Sequence, residues 1–530
     1  MKYLSRLLPV VVALLIVACD QPSEEEKAMG GTIPADYYLE DYRPQFHFSP
    51  EANWMNDPNG LVYYQGEYHM FYQYYPDSTV WGPMHWGHAV SRDLVTWEHL
   101  PVALYPDDLG YIFSGSVVVD RNNTSGLGTD ENPPLVAIYT YHQPDIEASG
   151  ASAFQYQGLA YSVDKGRTWT KYEGNPILKD MSKKDFRDPR VVWHAPSQKW
   201  VMILAVFDHL ELYGSPDLIS WQYLSSFGQG EGSHEGVWEC PDLFELPLEG
   251  TAASRWVMLV SISAGGERGS ATQYFVGDFD GTAFVNQNRP ENILWLDFGR
   301  DNYAGVTWSD VPERDGRRIF MGWMSNWDYA QVVPTHPWRS AMTVPRTLSL
   351  VSLPEGFRIR SFPVGEFDIL RKQVKEINKQ LIIGGNDWSS YLYGREPLLD
   401  MELVFTNVKK HGSWQIALSN LTGDTLVFGF DDVTDYVFVD RSAAGETGFS
   451  DTYTGVHRGK RKSNTDQMAV RVLLDRSSLE IFADMGEVVL TEQFFVKEPF
   501  TSMRVQFPHD EVLVQGVVYQ LNRIWPQGED

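Results

Sequence analysis

The stretch SRDLVTW, residues 91–97, decides the fold because it returns. SVDKGRTW at 162–169 and SPDLISW at 215–221 keep the same order of Ser, Asp and Trp. Gly277-Asp278, followed by Phe284, reads as a looser fourth copy. Ser and Asp side chains hydrogen-bond nearby backbone and so favour a turn, and the aromatic residue opens a new strand. A single copy is only a hairpin turn. Recurrence at roughly 50–70 residues suits one four-stranded blade with its loops. Around the copies lie short apolar runs such as EYHMFYQYYP, PLVAIYTYH and WVMILAVFD, broken by Gly, Pro, Asn and Asp, the pattern of many short strands.

Four copies plus an opening blade around Asp57 predict an all-β, five-bladed β-propeller over residues 38–355. FPVGEFDILRKQVKEINKQ, starting at Phe362, reads as part of a short helical connector, placed at 356–379. From 380 to 530, runs such as SWQIALSN and MAVRVLLDRSSLEIFAD alternate as half-buried strands do. They predict a C-terminal β-sandwich.

Lys2 and Arg6 precede the apolar run LLPVVVALLIVA. That run has signal-peptide length and is too short to span a bilayer. It ends in IVAC, which resembles the lipobox of bacterial lipoproteins. Residues 1–18 are therefore expected to be a signal peptide and Cys19 the lipidated residue. The polar, Glu-rich stretch at 19–37 is expected to be a flexible tether. The protein is accordingly expected on a membrane, at the cell surface or in the periplasm. The chain has two cysteines, so a lipidated Cys19 leaves Cys240 without a disulfide partner.

A net charge of −27 over 530 residues, with no basic stripe, argues against a nucleic-acid partner. The 18 Trp, 27 Tyr and 27 Phe suit strand cores and also surfaces that stack on sugars.

Three acids stand in unusual settings within separate expected blades: Asp57 in WMNDPNG, Asp188 in FRDP and Glu239 in WECPD. Inner strands of a propeller line one channel, so distant acids can converge there. Glycosidases use paired carboxyl groups, one ionised and one protonated. Turn amides around Asp57 are expected to hold it ionised, and an apolar wall around Glu239 to raise its pKa. Asp185, Asp242 and the Asp107-Asp108 pair read as surface or turn residues. The pattern alone leaves both a carboxylate glycosidase and a sugar-binding propeller open.

The motifs WMNDPNG, YQYYP, WGHAVSRDLVTWEHLP, FSGS, FRDP, WECPDLF, GWMSNWDYA, PWRSAMTVPR and LLDRSSLEIF follow one another in that order. Together they resemble glycoside hydrolase family 32, the invertase, inulinase and levanase group of β-fructosidases, from about residue 42 to the C-terminus. The resemblance implies retaining hydrolysis of β-fructofuranosidic bonds in levan, inulin or sucrose, with no metal and no cofactor. It implies Asp57 as nucleophile, Glu239 as acid/base and Asp188 as transition-state stabiliser. By the same mapping, Trp54, Asn56, Gln73, Trp81, Phe113, Ser114, Arg187 and Trp323 line the pocket for the fructosyl unit. The chain departs from the pattern at Asn302 in DNYA and at Asp328. Its rivals are a fructosyltransferase on the same scaffold, an inverting family 43-type propeller, and a surface glycan-binding lipoprotein.

Overall fold

The computed structural model describes residues 37–526 apart from 130, 264–268, 382–383, 393–396, 410–411 and 508–511. The expected signal peptide, Cys19 and the tether up to residue 36 lie outside the described residues.

Five antiparallel sheets follow in chain order. Their first strands are Asn53–Tyr64, Tyr111–Val119, Phe186–His194, Trp238–Pro247 and Tyr303–Thr307. Each first strand packs against the first strand of the next sheet, and the fifth packs against the first. These strands therefore ring a central channel. The ring is closed by Trp338 and Arg339, which pair in parallel with Asn53 and Trp54.

The repeated motif joins the third strand to the fourth in four blades. Asp93 Oδ1 accepts from the backbone N–H of Thr96 at 2.7 Å, Asp164 Oδ1 from Thr168 at 2.9 Å, and Asp217 Oδ1 from Ser220 at 2.7 Å. The residue after each Asp has positive φ: Leu94, Lys165 and Leu218. This geometry corrects the fourth copy. Asp278 lies within the strand Ala271–Phe279, whereas Asp280 caps Thr282 and Ala283 and precedes Gly281 with φ 89.

The reckoning of blades changes too. The strand bearing Asp57 and the first motif copy belong to one sheet, not two. The fifth blade instead closes with the Leu353–Gly356 hairpin, which has no Ser-x-Asp.

The join between domains lies within the expected 356–379 but is shorter than expected. Gly356–Pro363 is the outer strand of the fifth blade. Only Val364 and the 3-10 turn Gly365–Leu370 connect the domains, and Arg371–Leu381 is already a sandwich strand.

The sandwich stacks two six-stranded sheets. Its inner faces are read directly from alternation. In Trp414–Ser419, Trp414, Ile416 and Leu418 point inward, and Trp414 stacks on Phe405 at 4.0 Å. Phe46, Val344, Phe367, Phe482 and Val489 form an apolar seam between propeller and sandwich. Tyr38–Trp525 is one unit.

Buried charge reinforces the seam. The LLDRSSLEIF element supplies Asp475 and Glu480, which grip the two imidazole nitrogens of His47 at 2.8 Å each. Arg346 bridges Asp297 at 3.0 Å and Glu480 at 2.7 Å.

Candidate active site

WMNDPNG is not a turn. It lies within the continuous strand Asn53–Tyr64, irregular between Met55 and Pro58 and again between Asn59 and Val62. Such bulges re-aim side chains at the rim of a sheet, and here they turn Asp57 into the channel mouth. Gly60 has φ 52, and a Cβ there would lie 2.7 Å from Val117 Cγ2, so no larger residue fits.

Side chains, not turn amides, hold the Asp57 carboxylate. Asn56 Nδ2 donates to Oδ1 at 3.0 Å and Ser114 Oγ to Oδ2 at 2.7 Å. The Cys240 thiol also reaches Oδ2, at 3.3 Å. Behind them, Trp54 Nε1 fixes Asn56 at 2.7 Å, and Gln73 ties Asn59 to the Ile112 carbonyl.

Asp188 and Cys240 both adopt left-handed backbone, with φ 61 and 46. Non-glycine residues in that region mark strain held by their surroundings, and such strain gathers at functional sites. The Cys240 N–H donates to Asp188 Oδ2 at 2.9 Å, and the Asp188 N–H donates to Thr140 Oγ1 at 2.9 Å. Glu239 accepts from Arg187 at 2.9 Å and from the Tyr303 hydroxyl. Arg187 is shared with Asp185 at 2.7 Å.

Burial is the largest influence raising the pKa of both Asp188 and Glu239. Asp57 adds to it for both and Glu239 adds to it for Asp188, while Arg187 opposes it. The expected upward shift of Glu239 is present, but Arg187 and Tyr303 touch its carboxylate where an apolar wall was expected.

These groups open into a cavity of about 450 Å³. Asn56, Gln73, Trp81, Phe113, Ser114 and Arg187 line it together with the three acids, as expected. Trp54 and Trp323 do not, because both are fully buried. Trp327 lies over them, with ring centroids 5.8 Å and 5.0 Å away, and presents its own indole to the cavity.

Asp185, read from sequence as a turn residue, is buried and lines the cavity. Asp242 is fully buried below it. It pairs with Arg190 at 2.8 Å and accepts from the Thr307 N–H, while Arg190 donates to the Thr307 carbonyl. This knot spans three blades and plugs the channel beneath the site.

Sequence reasoning assigned no role to Cys240 or Tyr303, while the loop 142–157, which it expected to add to the rim, supplies three further lining residues. Gln155, His142 and Glu147 form one wall of the cavity. His142 stacks on Phe113 at 4.2 Å and reaches Glu147 at 3.3 Å on the short helix Pro144–Ala148. The position of Cys240 directly after Glu239 is the one signal that pointed to it. Among the described residues, no group of three or more His, Cys, Asp or Glu is disposed to hold a metal ion.

Comparison with known proteins divides the chain at the same place as the structure. Residues 47–360 match the family described as glycosyl hydrolases family 32 N-terminal domain, and residues 366–520 match glycosyl hydrolases family 32 C terminal. A levanase of Bacillus subtilis (strain 168) is 48% identical over 497 residues, covering 93% of this chain and 72% of its own. An extracellular exo-inulinase of Aspergillus niger is 38% identical over 505 residues, covering 88% of this chain and 92% of its own. The crystal structure of exo-inulinase from Aspergillus awamori superposes with TM-score 0.84 at 34% identity, covering 92% of this chain and all of that one. The fructofuranosidase of Schwanniomyces occidentalis complexed with fructose superposes with TM-score 0.79 at 32% identity, over 93% of this chain and 100% of that chain.

Proposed function

The chain belongs to glycosyl hydrolase family 32, and from that premise we propose how its channel mouth works. The protein is a β-fructofuranosidase that hydrolyses fructans. Asp57 is the nucleophile. Its carboxylate attacks the anomeric carbon of a terminal fructosyl unit as the bond to the leaving oxygen breaks. Glu239 gives that oxygen its proton. A fructosyl ester on Asp57 results. Water then attacks the same carbon, Glu239 takes the water's proton, and Asp57 leaves as carboxylate. This is double displacement with net retention.

The observation that carries the assignment is the contrast between the two carboxyl groups. Asp57 accepts from Asn56 and Ser114 and is approached by the Cys240 thiol, so both its oxygens are held in fixed positions at the channel mouth. Glu239 has a raised pKa in the same cavity, which favours a proton available for donation. Asp188, facing the same cavity, is placed to accept from fructosyl hydroxyls.

The compact cavity of about 450 Å³, floored by the knot of Arg190, Asp242 and Thr307 and walled on one side by Gln155, His142 and Glu147, supports chain-end release. The test is a time-resolved product profile from levan, inulin and sucrose, with Asp57→Asn as control. From levan and inulin, fructose as the sole early product is expected, and from sucrose fructose with an equal amount of glucose. An early ladder of oligosaccharides would overturn chain-end action, and no product from any of the three would overturn the enzyme reading.

We also propose lipidation at Cys19, supported by the basic start, the short apolar run and IVAC. Cys19→Ala is expected to release the protein from the membrane fraction, and unchanged sedimentation with membranes would refute it.

A further inference from the structure

Two segments of the fifth blade meet at the active site. One carries Tyr303, whose hydroxyl donates to Glu239. The other carries Trp327, a wall of the cavity. Two residues from each lies a polar side chain that turns away from the cavity, Asp301 in one case and Tyr329 in the other. The Tyr329 hydroxyl donates to Asp301 Oδ1 at 2.6 Å.

Both segments are gripped by a single residue of the sandwich. Arg441, on the strand Tyr436–Ala443, donates to Asp301 Oδ2 at 2.5 Å and to the Tyr329 hydroxyl at 2.8 Å. Asp301 is also bound by the Gln493 N–H at 2.8 Å, and its own N–H donates to the Thr491 carbonyl at 3.0 Å. Arg441, Asp301 and Tyr329 are at most 1% exposed. The Arg441 guanidinium lies over the Tyr453 ring at 4.1 Å and pairs with Glu492 at 3.0 Å, so the arginine itself is fixed from the sandwich side.

We infer that Arg441 is a positioning residue for hydrolysis: it sets, through Asp301 and Tyr329, where Tyr303 meets Glu239 and where Trp327 walls the pocket. A planar guanidinium that binds two partners at once fixes their separation and angle, which a single ammonium does not. A buried ion pair is weak evidence for stability, since well-packed apolar residues often do as well in its place. What this one adds is geometry. It acts on two short segments, each two residues from a group in the site. The sandwich thereby takes part in the reaction without touching substrate.

The inference rests on Glu239 being the acid, and its test includes a control for that assignment. Sucrose hydrolysis is followed across pH for Tyr303→Phe, Tyr329→Phe, Arg441→Met and Arg441→Lys. A hydrogen bond donated to a carboxylate favours its charged form. Losing the Tyr303 hydroxyl should therefore move the alkaline limb of kcat/KM to higher pH. Tyr329→Phe and Arg441→Met should move it the same way by less and lower kcat on the order of tenfold. KM should change by no more than about twofold. Arg441→Lys should fall between Arg441→Met and the parent.

Tyr329→Phe removes one hydroxyl and leaves the charges paired, so it carries the test if Arg441→Met does not fold. A Tyr329→Phe enzyme with the parent's kcat and alkaline limb overturns the inference, whatever its melting temperature. An alkaline limb that Tyr303→Phe leaves in place overturns the assignment of Glu239 and this inference with it. A limb moved by Tyr303→Phe alone overturns only the coupling to the sandwich.

Discussion

The molecule buries two clusters of acids, and they differ in balance. At the channel mouth Asp57, Asp185, Asp188 and Glu239 share Arg187 as the cation lining their cavity. At the seam between domains, Asp297, Asp301, Asp475, Glu480 and Glu492 meet Arg346, Arg441, His47 and His457. In the first cluster, burial pushes Asp188 and Glu239 up. In the second, burial acts the same way on Glu480 and Glu492, but Arg346 and His47 together outweigh it for Glu480, and His457, Arg441 and Arg300 together for Glu492. Asp301 alone among the seam acids with a resolved shift is still pushed up by its burial. Matched charge fixes one conformation. Unmatched charge keeps a proton within reach of neutral pH, which is what an acid catalyst needs.

The sharpest break of this comparison is to remove one acid from the mouth. Asp57→Asn and Glu239→Gln should each cost on the order of 10²–10⁴-fold in kcat. Each should also melt at or above the parent temperature, because crowding of like charge is relieved. Steady-state rates and thermal melts on the same preparations check both halves. Arg346→Met should do the reverse. It takes the cation from Asp297 and leaves Glu480 with His47 alone, each acid being within 3.0 Å of the guanidinium, at about 3–5 kcal/mol of stability. Its kcat per folded molecule should stay near the parent value, as denaturant melts and active-site titration would show.

A smaller effect follows from His47. Burial alone would lower its pKa, but the carboxylates of Asp475 and Glu480 outweigh that and push it up to about 9. The folded value lies above the ordinary 6.5. The stabilisation is therefore fully present below pH 6.5 and is lost as pH rises toward 9. Over that window about 3 kcal/mol should disappear, and His47→Gln should flatten the profile. Urea melts at several pH values measure it. Smallest of all, Glu147→Gln at the half-exposed rim should change KM for levan or inulin by about threefold and leave kcat alone. A large loss of kcat would move Glu147 into the reacting centre.

What could be read from the chain was chemistry stated by short motifs. The three acids converge, and six of the eight expected pocket residues line the cavity beside them. The two exceptions share one cause. Motif text names Trp54 and Trp323 but cannot say which indole is outermost, and Trp327 covers both. Asp185 looked like a turn residue because its positive φ belongs to a turn-like backbone, yet its carboxylate is committed to Arg187. Tyr303 reaches Glu239 from another blade, a contact with no local signature. The domain join was drawn too long because Arg371–Leu381 is rich in Lys and Gln, as a helix is. It is an edge strand, and of residues 371–380 only Ile377 is buried. Lysines on a sheet edge deter pairing with other chains, so an edge strand can be this polar.

The pairing of Trp338 and Arg339 onto Asn53 and Trp54 sets an order of assembly. The strand that bears Asp57 begins with a free edge, and the segment that covers it is made almost three hundred residues later. Arg441 and Gln493, which bind Asp301, follow later still. A nascent or truncated chain that stops before them has every acid in place and no finished site.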